Sequence, residues 1–126
     1  MNSRLAAAHD RFDMLCSNPK VLVVEDSALM NELLRCQLLG HAQVRIVQDP
    51  GQAMAAVEAD RPDIVLMDIY FDGRNRGAAV GRAIQDLGIP VVYISGIHPE
   101  EAAKLGTVPY LQKPVSQMAL REAIGL

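Results

Sequence analysis

The sequence predicts a doubly wound α/β fold on a five-stranded parallel sheet of order 2-1-3-4-5. Three observations carry that expectation. Apolar runs without alternation recur along the chain, as in strands buried on both faces. Segments of helical periodicity separate them, so strand and helix alternate, and parallel strands joined by right-handed crossovers follow. A length of 126 residues, half of them hydrophobic, suffices for one core and falls short of two ordinary domains.

The first strand is read at VLVVE, Val21 to Glu25. Ser27 can cap a helix running to Leu39, with Leu29, Leu33, Leu34 and Leu38 as its stripe and Gly40 as its stop. AQVRIVQ, Ala42 to Gln48, alternates polar and apolar residues and reads as an edge strand with one face partly wet. Pro50 to Asp60 places Ala53, Met54 and Val57 on one helical face, and Arg61-Pro62 ends it. The third strand is DIVLMD, Asp63 to Asp68. Gly77 to Leu87 follows as a helix packing Val80, Ala83, Ile84 and Leu87, closed by Gly88. PVVYIS, Pro90 to Ser95, is the fourth strand. A short helix is expected over Pro99 to Leu105, its two glutamates suiting the N-terminal end of the helix dipole. VPYLQ, Val108 to Gln112, is the fifth strand, and Ser116 to Ile124 the last helix, with Met118, Ala119, Ala123 and Ile124 to pack.

Composition excludes several classes. The net charge of -3 is modest and the basic residues are scattered, so direct binding of nucleic acid or of an anionic membrane is not expected. No apolar run approaches the roughly 20 residues a spanning helix needs. The stretch ending at Cys16 lacks the hydrophobic segment of a lipoprotein signal, and Asp10, Arg11 and Asp13 stand where a signal peptide would be apolar. A cytoplasmic location is expected. Cys16 and Cys36 have no metal-ligand spacing and read as reduced packing residues.

Ligands in a doubly wound sheet bind at the carboxyl ends of the strands, where the winding reverses. Glu25 and Asp26 follow the first strand, Asp68 ends the third, Ser95 ends the fourth and Lys113 follows the fifth. Three carboxylates so gathered repel one another unless a cation sits among them. Mg²⁺ (or Mn²⁺) suits such a set, since it takes oxygen ligands and works with one or two carboxylates plus a phosphate. A lysine and a serine hydroxyl nearby can hold phosphoryl oxygens. Together these groups fit phosphoryl transfer to a carboxylate nucleophile, with Asp68 attacking in line. Singly each has a plainer reading: a turn aspartate, a turn serine before Gly96, a solvated lysine. Their convergence at strand ends favours the chemical one.

VLVVEDS, IVLMDI, VVYISG and YLQKP resemble, in order, the four signature segments of the response-regulator receiver family, spread over residues 21 to 114. The resemblance implies a flavodoxin-like receiver fold. It also implies that Asp26 is a direct metal ligand, that Glu25 acts through water, and that Asp68 is phosphoacceptor and metal ligand. The backbone carbonyl of Tyr70 would complete the protein's metal ligands. Ser95 matches the switch hydroxyl, Tyr110 the switch aromatic, and Lys113 with Pro114 the lysine on a loop held by a cis peptide. The implied partners are a histidine kinase or phosphotransfer protein and a downstream protein target. The implied role is a single-domain response regulator that switches its affinity for a partner or relays the phosphate. It would act chemically on itself alone, and would not be an enzyme with turnover.

A phosphorylation-independent interaction module is the alternative. A flavin or nucleotide binder is disfavoured by the acidic EDSALM loop, where phosphate would be repelled. An aspartate-dependent phosphatase would need a second aspartate where Tyr70 stands.

The chain departs from the family in places. The loop IYFDGRNRG lacks the usual proline and has Arg76 before Gly77, which leaves its conformation open. The segment between Ser95 and Lys113 is about one helical turn short, so the fourth helix should be curtailed, and the family's usual dimer is not transferred. Oligomeric state is left open. Bulky Tyr70 and Ile97 should flank the phosphoryl site and slow hydrolysis. Residues 1–18 lie outside the resemblance, as an extension ahead of a domain over 19–126, helical or partly disordered. Leu5, Ala8, Phe12 and Leu15 form a short stripe at helical spacing, which suits a helix lying on the domain or a docking helix.

Overall fold

The computed structural model describes residues 18–96 and 110–125. Its elements run β1 (Lys20–Val24), α1 (Ala28–Leu38), β2 (Gln43–Val47), a 3₁₀ turn (Pro50–Gln52), α2 (Ala53–Ala59), β3 (Ile64–Asp68), β4 (Tyr70–Phe71) and β5 (Arg74–Asn75). They continue with α3 (Gly77–Asp86), β6 (Val91–Ser95), β7 (Tyr110–Gln112) and α4 (Gln117–Ile124). The main sheet is parallel with order β2-β1-β3-β6-β7. With the β4–β5 hairpin set apart, this is the expected order.

The unbroken apolar runs are explained by the two-residue period of a strand. Val21, Val23, Ile64, Leu66, Val92 and Ile94 face one side, where α1 and α4 supply Leu34, Leu38, Leu120, Ala123 and Ile124. Leu22, Val24, Val65, Met67, Val91 and Tyr93 face the other, against Ala53 and Val57 of α2 and Ile84 of α3. β2 stands at the edge and is only partly buried, as its alternation predicted.

Several helix faces differ from expectation. On α1 the inward residues are Asn31, Leu34 and Leu38, whereas Leu29 and Leu33 are exposed. Leu29 lies five residues before Leu34, about 140° around the helix, too far to share its face. α3 buries Gly77, Gly81 and Ile84, while Ala83 and Leu87 are exposed. Glycines, too small to register as hydrophobic, mark where α3 approaches the sheet most closely. α4 buries Leu120, and Met118 points outward. Cys36 is free and exposed on α1 and does not pack. The helix expected over 99–105, Ile97, Cys16 and the N-terminal stripe fall outside the described residues.

The hairpin after β3 was not anticipated, although its signal stands in the sequence. Asp72 and Gly73 both take positive φ, +54° and +73°, as a two-residue type I′ turn requires. Arg76 then donates to Asp49 at 3.2 and 3.3 Å and ties this loop to the end of β2.

Candidate functional site

Strand parity assembles the site. Glu25 continues the alternation of Val21 and Val23, Asp68 that of Ile64 and Leu66, and Lys113 that of Leu111, all residues of one sheet face. At the upper ends of adjacent strands these three side chains meet. Lys113 Nζ donates to Glu25 Oε1 at 2.8 Å and to Asp68 Oδ2 at 3.3 Å. The lysine side chain is 23% exposed, against 0% and 5% for its partners. Asp68 Oδ1 accepts from the Ile69 N–H at 2.8 Å, so both oxygens of that carboxylate are oriented.

The turn carrying the acidic pair is pinned from two sides. The Glu25 N–H donates to the Val47 carbonyl at 3.1 Å, and the Asn31 amide donates to the Glu25 carbonyl at 2.8 Å. Ser27 caps α1 by accepting from the Met30 N–H. Asp26 stands exposed at the rim. Sequence reading missed Asn31; a polar residue on the Leu34–Leu38 stripe was the available signal.

Burial pushes the Glu25 carboxyl up to about 7, and neighbouring Asp68 adds to this against the pull of Lys113. Burial also acts to lower Lys113, but its hydrogen bonds and charge pairing with Glu25 and Asp68 prevail and hold it above its ordinary value.

Ser95 is buried at the end of β6, on the opposite parity. Its carbonyl accepts from the Lys113 N–H at 2.8 Å and from the Tyr110 hydroxyl at 3.4 Å. Burial raises the Tyr110 hydroxyl above its usual range. The Lys113–Pro114 peptide is cis. Glu25, Asp26, Asp68, Tyr70, Ser95 and Lys113 thus line one open cleft of about 420 Å³, with Asp72 and Gly73 on its hairpin side.

Glu25, Asp26 and Asp68 each offer an oxygen, all within 4.8 Å of one another. Glu25 Oε2 is buried without a hydrogen-bond partner. An orphaned carboxylate oxygen in an all-oxygen, anionic donor set fits a hard divalent cation.

A doubly wound sheet with an acidic cleft at its winding reversal and a lysine across it defines a class, and comparison with known proteins gives the family. Residues 21–125 match the response regulator receiver domain, and the chain belongs to that family. A protein-glutamate methylesterase/protein-glutamine glutaminase of Syntrophomonas wolfei is 30% identical over 110 residues, covering 80% of this chain and 31% of that protein. The DNA-binding response regulator MtrA of Mycobacterium tuberculosis is 33% identical over 101 residues, covering 75% of this chain and 44% of MtrA. The chain therefore spans less than half the length of these curated relatives.

Among solved structures, the receiver domain of a modulated diguanylate cyclase from Desulfovibrio desulfuricans matches with TM-score 0.72 and 31% identity, over 85% of this chain and 90% of that one. The PhyR receiver domain of Erythrobacter litoralis matches with TM-score 0.71 and 25% identity, over 86% and 88%. The chemotaxis protein CheY4 of Vibrio cholerae, at 22% identity and TM-score 0.72 over 85% and 96%, shares the fold. No described helix is long and apolar enough to cross a membrane.

Proposed function

We propose that this receiver domain accepts a phosphoryl group on Asp68 from a phosphohistidine of a histidine kinase or phosphotransfer protein. The observation that carries the proposal is the lysine bridge. Lys113 holds the Asp68 carboxylate in the cleft with Glu25 on its other side. One Asp68 oxygen attacks phosphorus as the bond to the donor imidazole nitrogen breaks, and the freed imidazole retains that electron pair. Lys113 moves from carboxylate to phosphoryl oxygen as charge shifts outward. The Ser95 hydroxyl donates to a second phosphoryl oxygen.

Asp26 and Asp68 would hold Mg²⁺ (or Mn²⁺) directly, Glu25 through water, and the Tyr70 carbonyl would complete the protein's share. An ion held there would supply positive charge against the phosphoryl oxygens.

The output follows from the same residues. Ser95 shifts toward the phosphoryl group, and Tyr110, already bonded to the Ser95 carbonyl, adjusts with it and alters the surface offered to a protein target. Switching of such a target, or onward relay, is the role in a cytoplasmic two-component pathway. Tyr70 lines the cleft and hinders water in line with the acyl phosphate, so Tyr70→Ala should lose phosphate faster.

Incubation with a ³²P-labelled phosphohistidine protein tests the transfer. Label that moves to the chain, is released by hydroxylamine and is absent from Asp68→Asn supports it. Label that stays on the donor, or that transfers equally to the asparagine variant, contradicts it.

A further inference from the structure

Lys113 and Glu25 meet although the sheet sets their strands far apart. The order β2-β1-β3-β6-β7 puts β3 and β6 between the strands they follow, three strand spacings or roughly 14 Å. A lysine side chain does not span that distance by itself. The backbone carrying it must lean in over the end of the sheet and be held there. The Lys113 N–H donates to the Ser95 carbonyl at 2.8 Å, which ties it only to the next strand, β6.

The remaining hold comes from α1. Past Lys113 the chain crosses onto the face covered by α1 and α4, where Val115 is buried in the core. The Val115 carbonyl accepts from the Gln37 side-chain amide of α1 at 3.1 Å. Two residues further on, the Gln117 amide donates to the Gln37 carbonyl at 3.4 Å. Gln37 thus grips the segment after Lys113 twice, with its side chain and with its main chain. The other foot of the bridge is held by the same helix, since the Asn31 amide donates to the Glu25 carbonyl at 2.8 Å. Asn31 and Gln37 both stand on α1, separated by about 9 Å along a rigid helix.

Both amides use only their donor ends. Gln37 Oε1 and Asn31 Oδ1 are buried without hydrogen-bond partners. Turning either amide round would set an oxygen against the carbonyl it now serves. An orphaned acceptor costs stability, so for packing alone an apolar side chain would suit either place better.

We propose that Gln37 is a positioning residue for phosphoryl acceptance. It holds the loop after β7 against α1 so that Lys113 reaches Asp68, while Asn31 holds Glu25 from the same helix. The inference rests on the reading of Lys113 as the cation that meets the phosphoryl oxygens. Gln37 does not line the cleft and acts through Lys113 alone. With its grip lost, the loop relaxes outward and Lys113 turns to water.

Two variants of the full chain separate placement from packing. Gln37→Met keeps the length of the side chain without the donor, and Gln37→Glu keeps its shape while offering only acceptors. Gln37 is half-buried, so neither disturbs the core. Acceptance from acetyl phosphate with Mg²⁺ should slow about tenfold in each. In a Lys113→Met background the same substitutions should slow nothing further, because they act through the residue already removed. The Lys113 ammonium signal in heteronuclear NMR, identified by its absence from Lys113→Met, gives a readout independent of phosphate. Held between two carboxylates it is protected from exchange and visible in the wild type, and it should broaden away in both variants. An unchanged ammonium signal, or equal slowing with and without Lys113, would overturn the proposal. If the wild type accepted no phosphoryl group, the phosphoacceptor reading would fall, and the ammonium signal would still decide whether Gln37 places Lys113.

Discussion

Gly77, at the first position of α3, stands so close to Asp68 that a Cβ added to it would collide with the Asp68 backbone carbonyl. Its N–H donates to the next carbonyl, that of Ile69, at 2.9 Å. The start of α3 is thereby pressed against the backbone that carries the proposed phosphoacceptor. Backbone cannot swing aside as a flexible side chain can. Gly77→Ala is expected to cost about 1–3 kcal/mol of stability and to displace Asp68. Urea unfolding reads the first effect and phosphoryl acceptance by the folded fraction the second. A variant with wild-type stability and acceptance would show that the contact is dispensable.

Lys113 joins two buried carboxylates, so its removal should weaken function and stability together. Without it, Glu25 is driven to take up a proton beside Asp68, and breaking a buried ion pair by removing one partner costs several kcal/mol. Lys113→Met is expected to slow phosphoryl acceptance about a hundredfold, as loss of one charge-stabilising group does. Binding of Mn²⁺, followed by paramagnetic water relaxation, should survive or tighten, because a competing cation has left. Unchanged acceptance would remove Lys113 from the chemistry.

The pH dependence of the metal-free protein follows from Glu25, which faces Asp68, Asp26 and Lys113. Its carboxyl is raised from 4.5 to about 7, chiefly by burial. Between those values the folded state keeps a proton that the unfolded chain has released, so stability must fall as pH rises through that window. Denaturation midpoints in EDTA should drop from pH 5 to pH 7, and Glu25→Gln should flatten the slope. A midpoint that rises over this range in the wild type would contradict the raised value.

On the far side of the sheet, a Cβ at Gly81 would strike the Tyr93 ring and hydroxyl. That hydroxyl donates to the Ala78 carbonyl at 3.2 Å. Tyr93→Phe alone should cost about 1 kcal/mol, the usual worth of one such bond. Gly81→Ala should cost about 1–3 kcal/mol, and less when Tyr93→Phe has already removed the obstructing oxygen. Strict additivity in a double-mutant cycle would deny the contact.

How much of this was legible depended on the kind of signal. Sheet order, strand placement and the gathering of Glu25, Asp26, Asp68, Ser95 and Lys113 could be read because buried parallel strands show as unbroken apolar runs whose ends place the site. Helix faces were read less well, since leucines count as core residues wherever they fall. Leu29, Leu33 and Met118 are exposed, while Gly77, Gly81 and Asn31 hold inward positions that hydrophobicity does not reveal. The Asp72-Gly73 turn was present as a two-residue signal, but the strands that flank it are only two residues each and too short to show a strand's alternation. Arg76 reaches Asp49 across 27 positions, a pairing set by tertiary folding that no local pattern contains.

The central claim concerns Asp68, and the intact mass of the protein after incubation with acetyl phosphate and Mg²⁺ addresses it most directly. A gain of about 80 Da, one phosphoryl group, is expected, and both Asp68→Asn and EDTA should abolish it. The same gain in Asp68→Asn would place the phosphoryl group elsewhere and contradict the assignment. No gain here, together with no transfer from a phosphohistidine protein, would contradict phosphoryl acceptance altogether.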